Sequence, residues 1–410
     1  MSPPARAIEW PAALLLPPAR GVALRADDRW RFDPRALDTV SGGIVWGRAP
    51  LPAGAGKGSA LDAALRREIA LRRVRREAAK RRLAASVHRI SATGAGGPKD
   101  WVRRAARGGA LVELASPDAQ PRLLDAIARA AGAALPAGTL RLGSGGAALA
   151  RVRLTDGTDA LLRMAPAGSP GDPSMTAARL DALAAAHVDL VPRLRGAGAI
   201  AGIAWTVESL LPGRRPRRVS AACARDAAAF CALLPKGTGS PTAPREDLTA
   251  LATVLDGRAP ALRRLINELE GRLGAVPAVM RHGDLWAGNL LVSGGRLRGV
   301  VDWDSGHPNA VPGTDILQLI ATERRRRGGL ALGEVWLQRP WRWTEFATAT
   351  ESYWPAVGLR LTDELAELLA LAWWATETAG TLRRLPHRAA DGQWLAANVD
   401  PVLSTMSRCL

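Results

Sequence analysis

The segment from Val279 to Asp304 contains the residues of this sequence whose types and spacing are best suited to chemistry. It reads VMRHGDLWAGNLLVSGGRLRGVVDWD, with Asp284 five residues before Asn289 and with Asp302 further along. Phosphoryl transfer needs a carboxylate beside the acceptor hydroxyl, oxygen ligands for Mg²⁺, and a scaffold that holds them in line. Asp284 could supply the carboxylate, and Asn289 and Asp302 offer the hard oxygen ligands that magnesium prefers. The segment therefore predicts a site for phosphoryl transfer.

A short β-hairpin is expected to bring the two metal ligands together. Leu290 to Val292 favours a strand, Ser293-Gly294-Gly295 favours a turn, and Leu297 to Val301 favours the returning strand. The hairpin would place Asp302 beside Asn289. Asp304 could join the metal shell or cap the next segment, and the sequence favours neither alternative.

The motif resembles that of a known family. His282-Gly283-Asp284 with Asn289, followed by Val301-Asp302-Trp303-Asp304, is similar to the catalytic and metal-binding motifs of the aminoglycoside phosphotransferase and choline kinase type. The resemblance covers roughly residue 140 onward. It implies that Asp284 orients the acceptor hydroxyl and receives its proton, that Asn289 and Asp302 bind Mg²⁺, and that His282 braces the loop. Asp315 matches a further acidic position of the family, with a structural role.

The same resemblance implies a set of nucleotide-binding residues, with ATP or GTP as the donor. Glycines in a loop allow a backbone to approach phosphates closely. Arg163 falls on the strand where kinases keep a lysine for the α and β phosphates, and the segment from Glu208 to Leu211 would face the adenine. The residues implied for nucleotide binding are Gly143, Ser144, Gly145, Gly146, Arg163, Glu208 and Leu210.

Two departures from the family pattern concern the basic residue of this set. The guanidinium of Arg163 is planar and donates hydrogen bonds in a fixed fork, whereas the ammonium of a lysine is a point charge. The two side chains therefore do not replace each other freely. The predicted helix from Ser174 to Ala186 should present a glutamate to that residue, but it offers only Asp181, with Arg179 nearby. Either this lobe holds the nucleotide phosphates in another way, or nucleotide affinity is reduced, or catalysis has been lost.

The elements around these motifs predict an α+β chain with a bilobal protein-kinase-like fold, in which a small β-rich N-lobe precedes a larger helical C-lobe. A hairpin with an Asp156-Gly157 turn and a further strand from Ala204 to Leu211 mark the N-lobe. An accessory α/β or mixed domain should precede it, containing a basic amphipathic helix over Leu61 to Leu83, a strand over Ala110 to Leu114 and a helix over Arg122 to Ala131. The predicted divisions are an irregular segment at 1–57, the accessory domain at 58–135, the N-lobe at 136–212 and the C-lobe at 213–410.

Composition limits the other classes of function. The formal net charge of the 410 residues is +18, which would suit a nucleic-acid partner, but the arginines are spread along the chain and no known nucleic-acid module surrounds them. The three cysteines form neither a CxxC pair nor an even framework, which favours a reducing cytoplasm. No apolar run approaches the length of a membrane span. We expect a cytoplasmic protein whose partners are a nucleotide and a small hydroxyl compound.

The C-terminal helices contain tryptophans and acidic residues that could contact a substrate. Aromatic residues between helices more often belong to the core, and the acidic residues fit a solvated face beside an apolar stripe. We expect the core for the tryptophans, which are Trp336, Trp341, Trp343, Trp354, Trp373 and Trp374.

Three functions remain in competition. The first is transfer of a γ-phosphate to a hydroxyl of a sugar, amino sugar or amino alcohol. Protein phosphorylation is disfavoured, because the short distance from Asp302 to Asp315 leaves no room for a long activation segment and no Ala-Pro-Glu follows. The second is a catalytically weakened nucleotide-binding or regulatory module. The third is a two-step biosynthetic protein that uses its N-terminal region as well.

Overall fold

The computed structural model divides the chain into two compact units. It describes residues 6–9, 23–24, 29–32, 43–46, 87–90, 111–113, 123–134, 139–142, 147–169 and 171–409. The first unit comprises residues 1–178 and 193–210, and the second comprises 179–192 and 211–410. The predicted basic helix over Leu61 to Leu83 lies outside the described residues.

The described part of the first unit is mostly β-structure. Its strands are β1 (Arg6–Glu9), β2 (Ala23–Leu24), β3 (Arg29–Phe32), β4 (Gly43–Trp46), β5 (Val87–Ile90), β6 (Leu111–Glu113), β7 (Ala133–Ala134), β8 (Thr139–Leu142), β9 (Ala148–Leu154), β10 (Asp159–Pro166), β11 (Leu194–Ile200) and β12 (Ile203–Ser209). Helix α1 (Leu123–Ala130) also belongs to this unit, and the boundary between the units falls within α2 (Ser174–Ala185).

The main sheet of the first unit has seven strands in the order β11-β12-β10-β9-β8-β6, with β7 paired to β9. The β9–β10 hairpin turns at Asp156-Gly157 as predicted, because glycine reaches the positive φ of the turn without strain. Every residue of β12 except Ser209 is buried, so this strand is central. Strands β6 and β7 join the same sheet although they precede residue 136, where we expected the N-lobe to begin. Two further groups are the β1-β3-β2 sheet and the β4–β5 pair.

The second unit is mostly helical. Its helices are α3 (Ala221–Ala232), α4 (Ala243–Val254), α5 (Ala259–Leu273), α6 (Thr314–Gly328), α7 (Leu332–Leu337), α8 (Thr344–Thr350), α9 (Tyr353–Ala356), α10 (Asp363–Arg384), α11 (Gly392–Asn398) and α12 (Asp400–Cys409). Short 3₁₀ segments lie at Asp256–Arg258, Ala287–Asn289, Trp303–Ser305, Pro340–Arg342 and Pro386–Ala390. Its strands are β13 (Val279–Arg281), β14 (Leu290–Ser293), β15 (Arg296–Val300) and β16 (His307–Ala310).

Helix α10 forms the centre of this unit. Thr362 caps its first turn by accepting a hydrogen bond from the Leu365 N–H. Trp373 and Trp374 on α10 are among the largest fully buried side chains, and Trp336, Trp341 and Trp354 are also buried. The expectation of a core role is therefore confirmed for these five tryptophans, whereas Trp343 is only half-buried.

A β-rich first unit followed by a helical second unit confirms the predicted α+β, protein-kinase-like fold class. The accessory domain falls largely outside the described residues, so the division of the chain into domains stays a prediction. Among the described helices, none is long and apolar enough to cross a membrane.

Candidate active site

Two antiparallel strand pairs of the second unit carry the predicted catalytic residues. Strand β13 pairs with β16 and leads into the loop that contains Asp284, while β14 pairs with β15. The Val301 N–H donates to the Asn289 carbonyl oxygen at 2.9 Å, which holds the residue before Asp302 against Asn289. The hairpin expected from the sequence is confirmed, and it brings the segments of the two candidate metal ligands together.

Helix α3 fixes this hairpin from one side. Arg296 donates two hydrogen bonds to the carboxylate of Asp226, at 2.7 and 2.8 Å, and the Leu297 N–H donates a third at 3.0 Å. These bonds lower the pKa of Asp226, chiefly through the Arg296 side chain, so the carboxylate stays charged at neutral pH. The orientation of the hairpin is therefore set by an ion pair with three hydrogen bonds.

His282 lies entirely inside the loop. Its side chain is fully buried, its Nε2 donates to the Val301 carbonyl oxygen at 3.0 Å, and its Nδ1 accepts from the Asp284 N–H at 3.2 Å. These partners require the tautomer with hydrogen on Nε2. The ring also meets the edge of Trp303, with ring centroids 4.7 Å apart. A buried ring that bonds Asp284 within the loop and Val301 outside it is suited to bracing the loop.

Helix α6 holds the backbone of the same loop. The carboxylate of Asp315, in the first turn of α6, accepts from the N–H groups of His282 at 2.6 Å and Gly283 at 2.9 Å. One turn later, Gln318 accepts from the Leu285 N–H at 3.1 Å and donates to Glu377 at 2.6 Å. Asp315 and Gln318 are both buried, so these bonds are shielded from water. The structural role that the family resemblance implied for Asp315 agrees with this geometry.

Asp284 is partly exposed, whereas its neighbours His282, Gly283 and Leu285 are buried. The Asn289 amide Nδ2 donates to the Asp284 carbonyl oxygen at 2.8 Å and to its Oδ2 at 3.1 Å. Asn289 is itself buried, and its N–H donates to the Trp286 carbonyl oxygen at 2.8 Å. Asp284 therefore presents a positioned carboxylate between buried neighbours. Because the Asn289 amide nitrogen is bonded to Asp284, Oδ1 is the side-chain atom of Asn289 that could act as a metal ligand.

Gly283 is required by the path of this loop. Its φ is +78°, and a Cβ here would lie well inside contact distance of the Ser305 carbonyl oxygen. Both the dihedral angle and the close approach therefore exclude a side chain.

Gly283→Ala is expected to lower the free energy of unfolding by on the order of 2–3 kcal/mol, because it adds a steric clash to the strain of a positive φ. Gly295→Ala is the matched control, since Gly295 has a φ of +74° with nothing within 4 Å of the added Cβ. It should cost about 1 kcal/mol. Urea denaturation of both variants measures the difference, and equal losses would contradict a close approach between Gly283 and Ser305.

Asp302 adopts a strained backbone conformation, with φ +74° and ψ +63°, in the left-handed region that few non-glycine residues occupy. Arg179 supports the segment that follows. Its Nη1 donates to the carbonyl oxygens of Trp303 at 3.1 Å and Asp304 at 2.7 Å. Gly306 leaves room for it, because a Cβ there would meet the Arg179 side chain. Burial lowers the pKa of the Arg179 guanidinium, and the charge of Asp304 partly offsets this.

A buried ion pair lies directly before the loop, and sequence reasoning missed it. Arg281 donates to the Asp247 carboxylate at 3.0 Å, and both side chains are 6% exposed. Arg281 also donates to the hydroxyl of Thr376, and Arg383 approaches Asp247 at 3.4 Å. The four residues come from β13, α4 and α10. The network therefore anchors the strand from which His282 and Asp284 extend.

Arg163 has an acidic partner in the first unit, but it is not the one expected. Arg163 is opposite Thr206 in the β10–β12 pairing, and Glu208 follows two residues later on the same face of β12. The Arg163 Nε lies 3.1 Å from Glu208 Oε1, and these side chains are 7% and 4% exposed. Asp181, the acid that the predicted helix offered, is exposed. The carboxylate paired with Arg163 thus comes from the neighbouring strand.

The structure describes only some of the other residues implied for nucleotide binding. Gly143, Ser144, Gly145 and Gly146 lie outside the described residues, between β8 and β9. Leu210 follows β12 and is 41% exposed, which makes it one of the few exposed large apolar side chains among the described residues. Glu208 and Leu210 thus face different surroundings, although the sequence grouped them in one segment. The nucleotide-binding roles of all these residues stay predictions.

Comparison with known proteins confirms the resemblance carried by the motifs. The model of the phosphotransferase enzyme family matches residues 138–309, a range that includes the β9–β10 hairpin, the Asp284 loop and Asp302. Helices α6 to α12 lie beyond the match. No curated protein matches the chain.

Three solved structures are similar to parts of the chain. The macrolide 2′-phosphotransferase MphH of Brachybacterium faecium is 20% identical over 67% of this chain and 99% of its own, with a TM-score of 0.43. An aminoglycoside-3′-phosphotransferase of type VIII is 21% identical over 59% and 93%, with a TM-score of 0.40. The aminoglycoside phosphotransferase APH(4)-Ia is 14% identical over 65% and 93%, with a TM-score of 0.42.

Proposed function

We propose that this protein transfers the γ-phosphate of ATP or GTP to a hydroxyl group of a small polar molecule such as a sugar, amino sugar or amino alcohol. The observation that carries the proposal is the carboxylate of Asp284, which is partly exposed and held by Asn289 in a loop whose backbone is bonded to buried side chains of α6. The family match over residues 138–309 supports a small-molecule phosphotransferase.

In this proposal, Asp284 acts as a general base. The acceptor hydroxyl donates a hydrogen bond to the Asp284 carboxylate while its oxygen approaches the γ-phosphorus in line with the leaving oxygen. As the new P–O bond forms and the bond to the β-phosphate oxygen breaks, the proton passes to Asp284 and the nucleoside diphosphate leaves. The bonds from His282, Asp315 and Gln318 keep the carboxylate in position, so little reorganisation is needed during the reaction.

Magnesium fits the donor set offered by Asn289 and Asp302. The Asn289 amide nitrogen is committed to Asp284, which leaves its Oδ1 to face a cation. Asp302 adds a carboxylate, and two oxygen ligands with substrate phosphates completing the shell are typical of magnesium sites. Bound Mg²⁺ would neutralise phosphate charge during transfer. The backbone of Asp302 is strained, and Arg179 donates to the two carbonyl groups that follow it. Backbone strain of this kind is typical of functional sites, which supports a role for Asp302 in binding the metal.

The Arg163–Glu208 pair bears on the alternative of a weakened nucleotide-binding module. That alternative arose because Arg163 replaces the lysine of the family and because the predicted helix lacked a glutamate to pair with it. The Glu208 carboxylate lies 3.1 Å from the Arg163 Nε and can orient the guanidinium. This supports a basic residue that still functions at this position. We propose that Arg163, oriented in this way, replaces the family lysine at the nucleotide phosphates. Nucleotide binding without turnover would still identify the alternative.

An acceptor screen tests the proposed reaction. The purified protein is incubated with Mg²⁺ and ATP or GTP, and release of the nucleoside diphosphate is measured against panels of sugars, amino sugars and amino alcohols. We expect release that requires both Mg²⁺ and one class of acceptor and that is absent in Asp284→Asn. Nucleotide binding with no acceptor-dependent release across the panel would favour the weakened module instead. The cytoplasmic location stays a prediction.

A further inference from the structure

The second unit contains a large cavity that the proposed reaction does not use. Its volume is about 1000 Å³, at the upper end of the range for small-molecule sites. Four segments line it. They are the beginning of α3 with Val219 before it, one face of α6 continuing to Leu330, Gln338 after α7, and one side of α8 with Trp343 before it. All of these segments belong to the same compact unit.

The cavity and the catalytic loop lie on opposite faces of helix α6. An α-helix has 3.6 residues per turn, so each residue advances by about 100° around the axis. Ile320, Arg324 and Arg327 line the cavity and fall on one face. Asp315 and Gln318, which bond the catalytic loop, fall about 180° away on the other. The cavity is therefore separate from the position of the acceptor beside Asp284.

Charged side chains line the cavity only in pairs of opposite sign. Arg327 donates to Glu323 at 2.8 and 3.0 Å, and Arg324 lies 3.4 Å from Glu345. The Arg324 guanidinium also stacks on the ring of Trp343, 4.4 Å from its centroid. A charged ligand would have to displace one of these partners, and its charge would be repelled by the residue left behind. The lining thus favours an uncharged ligand.

The remainder of the lining is largely apolar. Ala224, Ile320 and Ala349 are buried at the cavity wall. Their side chains are small or branched and leave space in the cavity. The indole of Trp343 is held by a hydrogen bond from its Nε1 to the Gln338 carbonyl oxygen, so this ring offers a fixed apolar surface. Neutral polar groups complete the lining, and they are the side chains of Ser220, Gln338, Thr344 and Thr348.

We propose that this cavity is a second ligand site, which takes an uncharged and mainly apolar small molecule carrying a few hydroxyl or carbonyl groups. Apolar area drives its binding, and the neutral side chains at the wall supply directional hydrogen bonds. The site is independent of the phosphotransferase function, because it contains none of the residues assigned to that reaction.

Binding of Nile red, an uncharged fluorescent dye, tests the site in the full-length protein. We expect saturable binding at one site, weakened at least about tenfold by Ala221→Trp, which places an indole in the cavity from the α3 wall. Thr348→Trp fills it from the α8 wall and should have the same effect, which guards against failure of either variant to fold. Ala229→Trp is the matched control, because Ala229 is exposed on α3 and does not line the cavity. Circular dichroism establishes that each variant is folded.

Competition with three compounds of equal chain length tests the preference for an uncharged ligand. We expect 1-decanol to displace Nile red at concentrations at least about tenfold lower than decanoate or decylammonium. Equal competition by either ion would overturn the inference of an uncharged ligand. Unchanged dye affinity in folded Ala221→Trp and Thr348→Trp would place the dye elsewhere and overturn the site itself. Neither result bears on phosphotransfer, which is assayed separately.

Discussion

Asp284→Asn lowers turnover by about 10²- to 10⁴-fold, the loss typical of removing a positioned acid–base group. Asparagine keeps the size of the side chain and an oxygen that can accept from the Asn289 amide, so the loop should stay in place. It removes the negative charge and the basicity that would take the proton from the acceptor. The measurement is steady-state turnover with the acceptor found in the screen, together with nucleotide affinity from calorimetry.

The nucleotide affinity of Asp284→Asn should change little, because Asp284 faces the acceptor in this proposal. Asp181→Asn serves as a control, since Asp181 is exposed on α2 and is expected to leave turnover unchanged. Wild-type turnover in Asp284→Asn would remove Asp284 from the role of base. A parallel loss in Asp181→Asn would show that the assay responds to charge in general.

Asp247→Ala lowers the free energy of unfolding by about 3–5 kcal/mol, because it leaves the buried guanidinium of Arg281 without its counter-ion. The Asp247 and Arg281 side chains are each 6% exposed, so water cannot replace the lost partner. Since Arg281 immediately precedes His282, the loop should also lose order, and turnover should fall with stability. Urea denaturation monitored by tryptophan fluorescence measures the first effect.

An exposed ion pair provides the matched comparison. Arg342 and Asp363 lie 3.2 Å apart, with side chains 56% and 88% exposed, so Asp363→Ala should cost less than about 1 kcal/mol. The double variant Arg281→Met with Asp247→Leu should recover part of the loss, because it removes both buried charges together. A cost for Asp247→Ala no greater than that for Asp363→Ala would contradict the anchoring role of the buried pair.

The sequence predicted those parts of the site that are encoded in contiguous residues. The loop with His282 and Asp284, the β14–β15 hairpin and the return to Asp302 all lie within one stretch, where turn residues and strand alternation act locally. The hairpin at Asp156-Gly157 was predicted for the same reason. Asp315 was reached only through the family resemblance, since no local pattern links it to the loop that it bonds.

Elements whose partners are distant in the chain were missed. Strand β11 reads Leu-Arg-Gly-Ala-Gly-Ala-Ile, and its small residues carry little strand preference, so its pairing with β12 decides its structure. Strand β16 is short, and the four residues from His307 to Ala310 carry no strand pattern of their own. It forms because its backbone groups pair with β13, which is a non-local effect.

Side-chain partners across the fold were equally hidden. Arg163 meets Glu208 because two antiparallel strands set that register, and a prediction from the helix pattern could only search α2. Arg179 reaches carbonyl groups 124 and 125 residues later, and Arg281 pairs with Asp247, which precedes it by 34 residues. Such contacts depend on tertiary packing, which no local sequence pattern records.

Thermal unfolding with and without Mg²⁺ and ATP tests the central claim that Asn289 and Asp302 belong to a magnesium-dependent nucleotide site. A ligand at a hundred times its dissociation constant adds roughly 2.7 kcal/mol to stability, which raises the melting temperature by several degrees. Asp302→Asn is the informative variant, because asparagine tolerates the left-handed backbone of this residue and removes only the charge. We predict a rise that requires Mg²⁺ in the wild type and is lost in Asp302→Asn. The absence of any rise with ATP or GTP, or an equal Mg²⁺-dependent rise in the variant, would contradict the account.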